Sequence, residues 1–312
     1  MMFALRGIAV SLTFFVLLYC LLSALVVVGW RSLKLFRVSE RRLAALLFGL
    51  RVLPLAAALF VTLGLVVPSF QLLEPRSIDE GTGAAPLAFG IFALLLLSVG
   101  FWRVFAALVS TSRLVTRWSQ DARVLAEPLC VTVLSARDAP PLTLVGLRNA
   151  RVLVSESALS RLTQDELRVA LEHERSHLRS HDNLKKLLFR FCPFPGMRKL
   201  ETAWSQSAEL VADHAAVSSL EDAVALASAL IALSRLLLPV EPDLVCTVGF
   251  VTGSVNVRVT RLLAWEEAGQ SSRPPTRPWY LIAPAIVTLL FICLSYGSAL
   301  ALTHEATEWL VR

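Results

Sequence analysis

A chain of 312 residues that is 55% hydrophobic and only 17% charged, with a mean hydropathy of +0.64, is too apolar for an ordinary soluble domain. The apolar excess lies in long blocks, which marks a membrane protein. A net charge of +6 and a pI near 9.4 would suit nucleic acid, but the basic residues cluster beside the apolar blocks, where membrane topology explains them, so no nucleic-acid site is expected.

Residues 8–29 carry no charge and are long enough for a hydrocarbon core of about 30 Å. They run into Trp30 and Arg31 as an interfacial anchor, and the stretch is too long for a cleaved signal peptide. A second span is predicted at 43–67 and a third at 87–109. Arg51 and Arg103 lie near the predicted boundaries and are expected to snorkel to the interface. A fourth span is predicted at 279–302, opened by Trp279 and Tyr280. The loop 31–42 holds Arg31, Lys34, Arg37, Arg41 and Arg42 against Glu40, whereas 68–86 holds Glu74, Asp79 and Glu80 against Arg76. The positive-inside rule then puts the first loop in the cytoplasm, both termini outside, and residues 110–277 in one cytoplasmic domain, with 278–312 forming the last span and a short extracellular tail. Cys20, Cys130, Cys192, Cys246 and Cys293 form no C-x-x-C pair and read as reduced thiols.

Within the 110–277 domain, 129–135 is a β-rich run, and 142–145 and 150–155 flank Gly146-Leu-Arg-Asn149 as a hairpin. Thr163-Gln-Asp-Glu166 is a capping box, followed at helical spacings by Leu167, Ala170, Leu171, Leu178 and Leu184. The helix this predicts carries His173, Glu174 and His177 in an H-E-x-x-H pattern. Two histidines four apart lie on one helix face, about 6 Å between Cβ atoms, and can share one zinc ion. Glu174 sits beside them, where a carboxylate can deprotonate a water whose pKa the metal lowers to about 7.

A catalytic zinc needs a third protein ligand. The Cys192-Pro-Phe-Pro-Gly196 break precedes a second helix predicted at 197–220, which holds Glu209 among Ala208, Leu210, Val211 and Ala212, a poor setting for an unpaired charge. Glu209 is therefore the candidate third ligand, and Asp213 one turn later is placed to hold a ligand histidine by its other ring nitrogen. His181, eight helical residues from His173, would lie about 12 Å away and is set aside. His214 is a candidate oxyanion contact, although adjacent helical residues diverge. A third helix at 222–237 offers no chemistry.

The hairpin with Gly146, Leu162-Thr-Gln-Asp-Glu-Leu167, His173-Glu-Arg-Ser-His177, Asp182-Asn183 and Glu209-Leu-Val-Ala-Asp213 together resemble the integral-membrane zinc metallopeptidases of the beta-lactam sensor and antirepressor type, relatives of the CAAX-processing membrane proteases. The resemblance implies a gluzincin: His173, His177 and Glu209 as zinc ligands, Glu174 as general base, and Asp213 in support. It also places Arg258 where family members carry an arginine, as a substrate or structural contact. Sensor members continue beyond the fourth span into an extracellular ligand-binding domain, whereas about ten residues follow here, so no drug-sensing role carries over.

The expected fold is a membrane α-helical protein of four spans with a mainly α, α+β gluzincin domain containing a small sheet. The expected activity is zinc-dependent endoproteolysis of a protein or peptide substrate at the cytoplasmic face of a bacterial plasma membrane, with a transcriptional repressor as the substrate suggested by analogy. The edge strand around 150–155 is expected to pair with the substrate. The alternative is a catalytically silent membrane signalling scaffold of the same fold.

Overall fold

The computed structural model describes residues 2–31, 39–75, 83–119, 123–126, 132–136, 140–147, 151–236, 247–249, 255–265 and 295–308. In chain order the elements are α1 (Met2–Gly29), α2 (Glu40–Val61), a π-helical turn (Thr62–Val66), α3 (Val67–Leu73), α4 (Ala84–Ser119), β1 (Arg123–Ala126) and β2 (Thr132–Ala136). They continue as β3 (Leu142–Val145), β4 (Arg151–Ser155), α5 (Glu156–Leu159), α6 (Gln164–Arg179), α7 (Asp182–Phe191), α8 (Arg198–Ala216), α9 (Leu220–Ser234), β5 (Thr247–Gly249) and α10 (Val255–Leu263). Residues 295–308 are helical. The chain is mostly helical and divides into two compact units, one of residues 1–29, 52–98 and 270–312, the other of 30–51 and 99–269.

Three helical stretches, Phe3–Gly29, Glu40–Leu73 and Ala84–Trp118, are long and apolar enough to cross a membrane. They contain the three spans expected at 8–29, 43–67 and 87–109. Most of the fourth expected span, 279–294, lies outside the described residues, as do the turn residues Arg148 and Asn149.

In the first unit, the π turn shows itself in the Val67 amide bonding the Thr62 carbonyl five residues back. Pro68 has no N–H to offer the Gly64 carbonyl, and the Tyr296 hydroxyl donates to that oxygen at 2.8 Å. Ser69 donates to the Leu300 carbonyl at 3.1 Å. Tyr296 thus satisfies the carbonyl that the proline leaves without its helical partner.

In the second unit, the sheet order is β1-β2-β4-β3-β5. β2 and β4 are parallel, and the other pairs are antiparallel. Strand alternation sends Leu142, Leu144, Val152 and Val154 to a core shared with α6, α9 and α10, and sends Val145 and Leu153 to the opposite face, against Val115 and Trp118 of α4. β4 is interior to the sheet, with both edges paired, so it cannot receive a substrate strand as expected from the sequence. Alternating hydrophobicity identifies a strand without revealing its position in the sheet.

The capping box forms: Thr163 Oγ1 accepts from the Glu166 amide at 3.3 Å, and Glu166 Oε2 accepts from the Thr163 amide at 2.8 Å. Glu166 also accepts from the Ser228 hydroxyl, tying the start of α6 to α9. Asp222, near the start of α9, accepts from the Ser218 amide at 3.0 Å, the Ser218 hydroxyl and Arg168 of α6. Burial opposes ionisation of Asp222, but these bonds outweigh it and bring its pKa down to about 2. Asp222→Ala should cost about 1–2 kcal/mol, read as a lower melting temperature in detergent. Because the folded pKa is depressed, this stabilisation is complete above the unfolded aspartate value of about 3.9 and is lost as pH falls towards the folded value. The gap between wild type and Asp222→Asn should therefore close between pH of about 4 and 2, and a pH-independent gap would refute the assignment.

Arg51 does not snorkel. It is buried, with Nε donating to Glu201 at 2.7 Å and a terminal nitrogen donating to the Phe189 and Cys192 carbonyls at 2.8 and 2.6 Å. It caps the C-terminal end of α7, where the carbonyls lack helical partners and the helix dipole favours a cation.

Candidate metal centre

The sequence expected one helix running through Leu184, but α6 ends at Arg179. His181 takes a left-handed conformation with φ of 54°, which histidine tolerates better than most residues, and α7 starts at Asp182. His181 itself is exposed. The break redirects Asp182 onto the preceding helix: its Oδ2 lies 2.7 Å from His177 Nδ1. Asn183 Nδ2 donates to the Gly146 carbonyl at 3.0 Å and lies 3.3 Å from that of Leu144, fixing α7 to the end of β3. Gly146 is at φ 96°, a conformation that favours glycine.

Gly196, with φ of 87°, allows the Cys192–Gly196 segment to reverse the chain into α8. α8 packs against α6 in antiparallel register, bringing Asp213 to His173 and Glu209 to His177. His173 and His177 Nε2 are 3.1 Å apart. Glu209 carboxylate oxygens lie 3.5 Å from the first and 3.6 Å from the second. One ligand atom from each of the three residues falls within 4.8 Å of the other two. The other nitrogen of each ring faces a carboxylate: His173 Nδ1 lies 2.9 Å from Asp213 Oδ1, and His177 Nδ1 faces Asp182. A carboxylate only accepts, so each Nδ1 carries a proton, and Nε2 is the ring atom of each histidine that faces the common point.

Arg258 of α10 completes the surround. Its guanidinium donates to both oxygens of Asp213, at 2.7 and 2.5 Å, and lies 3.0 Å from Glu209. It is buried and committed to the acidic residues that support the site. His214 is exposed and outside the ligand cluster.

Burial dominates the electrostatics. It raises Glu174 to a pKa of about 7, with His177 and His173 acting in the opposite direction. Burial also opposes a charge on His177, but Glu209 and Asp182 outweigh it and raise that pKa to about 10. Burial opposes ionisation of Glu209 too, yet the charge of His177 and hydrogen bonds from both histidines hold it well below the usual range. His173 and Glu174 are 0% exposed, His177 1% and Glu209 2%, so all four side chains are shielded from solvent.

A zinc ion fits this donor set. Two imidazole nitrogens and one carboxylate converge, both histidines are held by carboxylates, and neither oxygen of the buried Glu174 has a hydrogen-bond partner among the described residues. The family model for peptidase family M48 matches residues 112–304, more than half of the chain. The chain belongs to peptidase family M48. It is thus a metallopeptidase by family, with a cluster able to bind the metal and helices suited to a membrane. No curated protein matches it significantly.

Asp182 is the contributor to this metallopeptidase's site that the reading of residue roles missed. Its signal was the Asp182-Asn183 pair beside the motif, but its contact depends on a helix break that hydrophobic spacing does not reveal. Asp182→Asn should leave the fold intact and weaken zinc binding about 10- to 100-fold, measured by competition with a chromogenic chelator. Unchanged affinity would remove Asp182 from the account.

Proposed function

We propose that this chain is a membrane-embedded zinc endopeptidase, with His173, His177 and Glu209 holding zinc and Glu174 as general base. The convergence of the three donors beside the buried Glu174, whose oxygens have no hydrogen-bond partner among the described residues, carries the reading. When bound, zinc supplies Lewis-acid polarisation of the scissile carbonyl and acidifies water. Glu174 takes a proton from the attacking water as its oxygen bonds the carbonyl carbon, then delivers that proton to the amine nitrogen as the C–N bond breaks. Asp182 and Asp213 hold the two imidazoles in the required tautomer, and Arg258 holds Asp213 and Glu209.

The finer reading rests on sequence. Four spans follow from the apolar blocks, the termini outside and the 110–277 domain in the cytoplasm follow from the basic loop at 31–42, and the layout similar to beta-lactam sensor and antirepressor proteins supports regulatory cleavage of a cytoplasmic protein such as a repressor. The test compares new protein termini in cells making the wild type or Glu174→Ala. Fragments present with wild type and missing with the variant are expected, and identical fragment sets would refute proteolysis by this site.

A further inference from the structure

In the second unit, Trp30 and Arg31 together with Arg198, Lys199, Thr202 and Gln206 of α8 line a cavity of about 620 Å³. Among the described residues its lining holds three cations and no acidic residue. Arg31, Arg198 and Lys199 are exposed, and none of their side chains makes an ion pair or hydrogen bond among the described residues. The acidic residue in the first turn of α8, Glu201, is committed to Arg51 at 2.7 Å. Three like charges around one space repel one another, and an anion bound between them removes that repulsion. Arginine's planar fork and lysine's compact ammonium both suit a phosphate, and Gln206 adds an amide donor to the same wall.

The level of the cavity identifies the source of that phosphate. The helical stretch Phe3–Gly29 is apolar enough to cross a membrane, and Trp30 and Arg31 are the next two residues, within one helical turn of its end. A tryptophan followed by an arginine at the end of a span marks the headgroup region, where basic pockets collect anionic lipids. A soluble phosphate compound or an acidic peptide has no need of that level. We propose that the cavity bounded by Arg31, Arg198 and Lys199 binds the phosphate of an anionic phospholipid headgroup. This rests on the first apolar helix crossing the membrane and is independent of whether the metal centre cleaves anything. One helix connects the cavity to the metal centre: α8 starts at Arg198 and carries Glu209 eleven residues later, about 16 Å along its axis. A lipid bound here tethers the start of that helix to the membrane surface.

The test is native mass spectrometry of the full-length protein in detergent, offered equal amounts of phosphatidylglycerol and phosphatidylcholine. Wild type should retain phosphatidylglycerol at least about tenfold better, as expected where three cations meet one anionic headgroup. Arg198→Gln with Lys199→Gln should abolish the preference while zinc content and helicity stay unchanged, and the exchange Arg198→Lys with Lys199→Arg should keep it. Arg41→Gln with Arg42→Gln, exposed cations at the start of α2 and outside this cavity, should also keep it, which separates a site from general attraction to an anionic surface. The proposal fails if wild type shows no preference, if Arg198→Gln with Lys199→Gln retains it, or if either of the other two variants loses it equally. It also fails if inorganic phosphate or a polyglutamate peptide displaces the lipid at equal concentration, since the occupant is then a free anion or a protein.

Discussion

Glu174→Gln is expected to reduce kcat/KM about 10²- to 10⁴-fold on a peptide spanning a wild-type cleavage site, the range for loss of a general acid–base group. The substitution keeps the shape of the side chain and removes only its capacity to accept and return a proton. Because Glu174 is fully buried and has no hydrogen-bond partner among the described residues, its replacement breaks no contact that the fold relies on. Removing a buried ionisable group should leave the melting temperature equal or raised, and the zinc ligands are untouched. Lost cleavage with retained zinc and stability separates catalysis from folding. Cleavage at the wild-type rate would show that another group moves the proton.

Arg258→Ala is expected to have the largest effect on stability, about 3–5 kcal/mol. The guanidinium joins Asp213 and Glu209, both buried, and truncation leaves two carboxylates without their cation. Arg258→Lys should recover only part of the loss, since an ammonium restores the charge but not the two-pronged contact with Asp213. Excess zinc should raise the melting temperature of Arg258→Ala by binding the folded state alone. A melting temperature unchanged by Arg258→Ala would make the arginine a surface residue in effect, contradicting its burial.

The helix with H-E-x-x-H was legible because its capping box, apolar spacing and motif agree, and local signals suffice for a local element. Glu209 and Asp213 were legible as a pair because four residues put them on one face among apolar neighbours. Arg258 was reachable only through family resemblance, since 45 residues separate it from Asp213 and no periodicity spans that gap. Asp182 depended on the left-handed His181, a residue with no sequence requirement to break a helix there. Arg51 misled for another reason. Hydropathy treats a boundary arginine alike whether it faces lipid headgroups or the carbonyl end of another helix. The β4 expectation failed because strand order in a sheet is set by long-range pairing, here the parallel match of β2 with β4.

Zinc content of the purified full-length protein tests the central claim most directly. Elemental analysis should find about one zinc per chain in the wild type and in Glu174→Gln, and little in His173→Ala, His177→Ala or Glu209→Ala. Zinc-free wild type, or zinc retained equally when any of those three residues is replaced, would contradict the account.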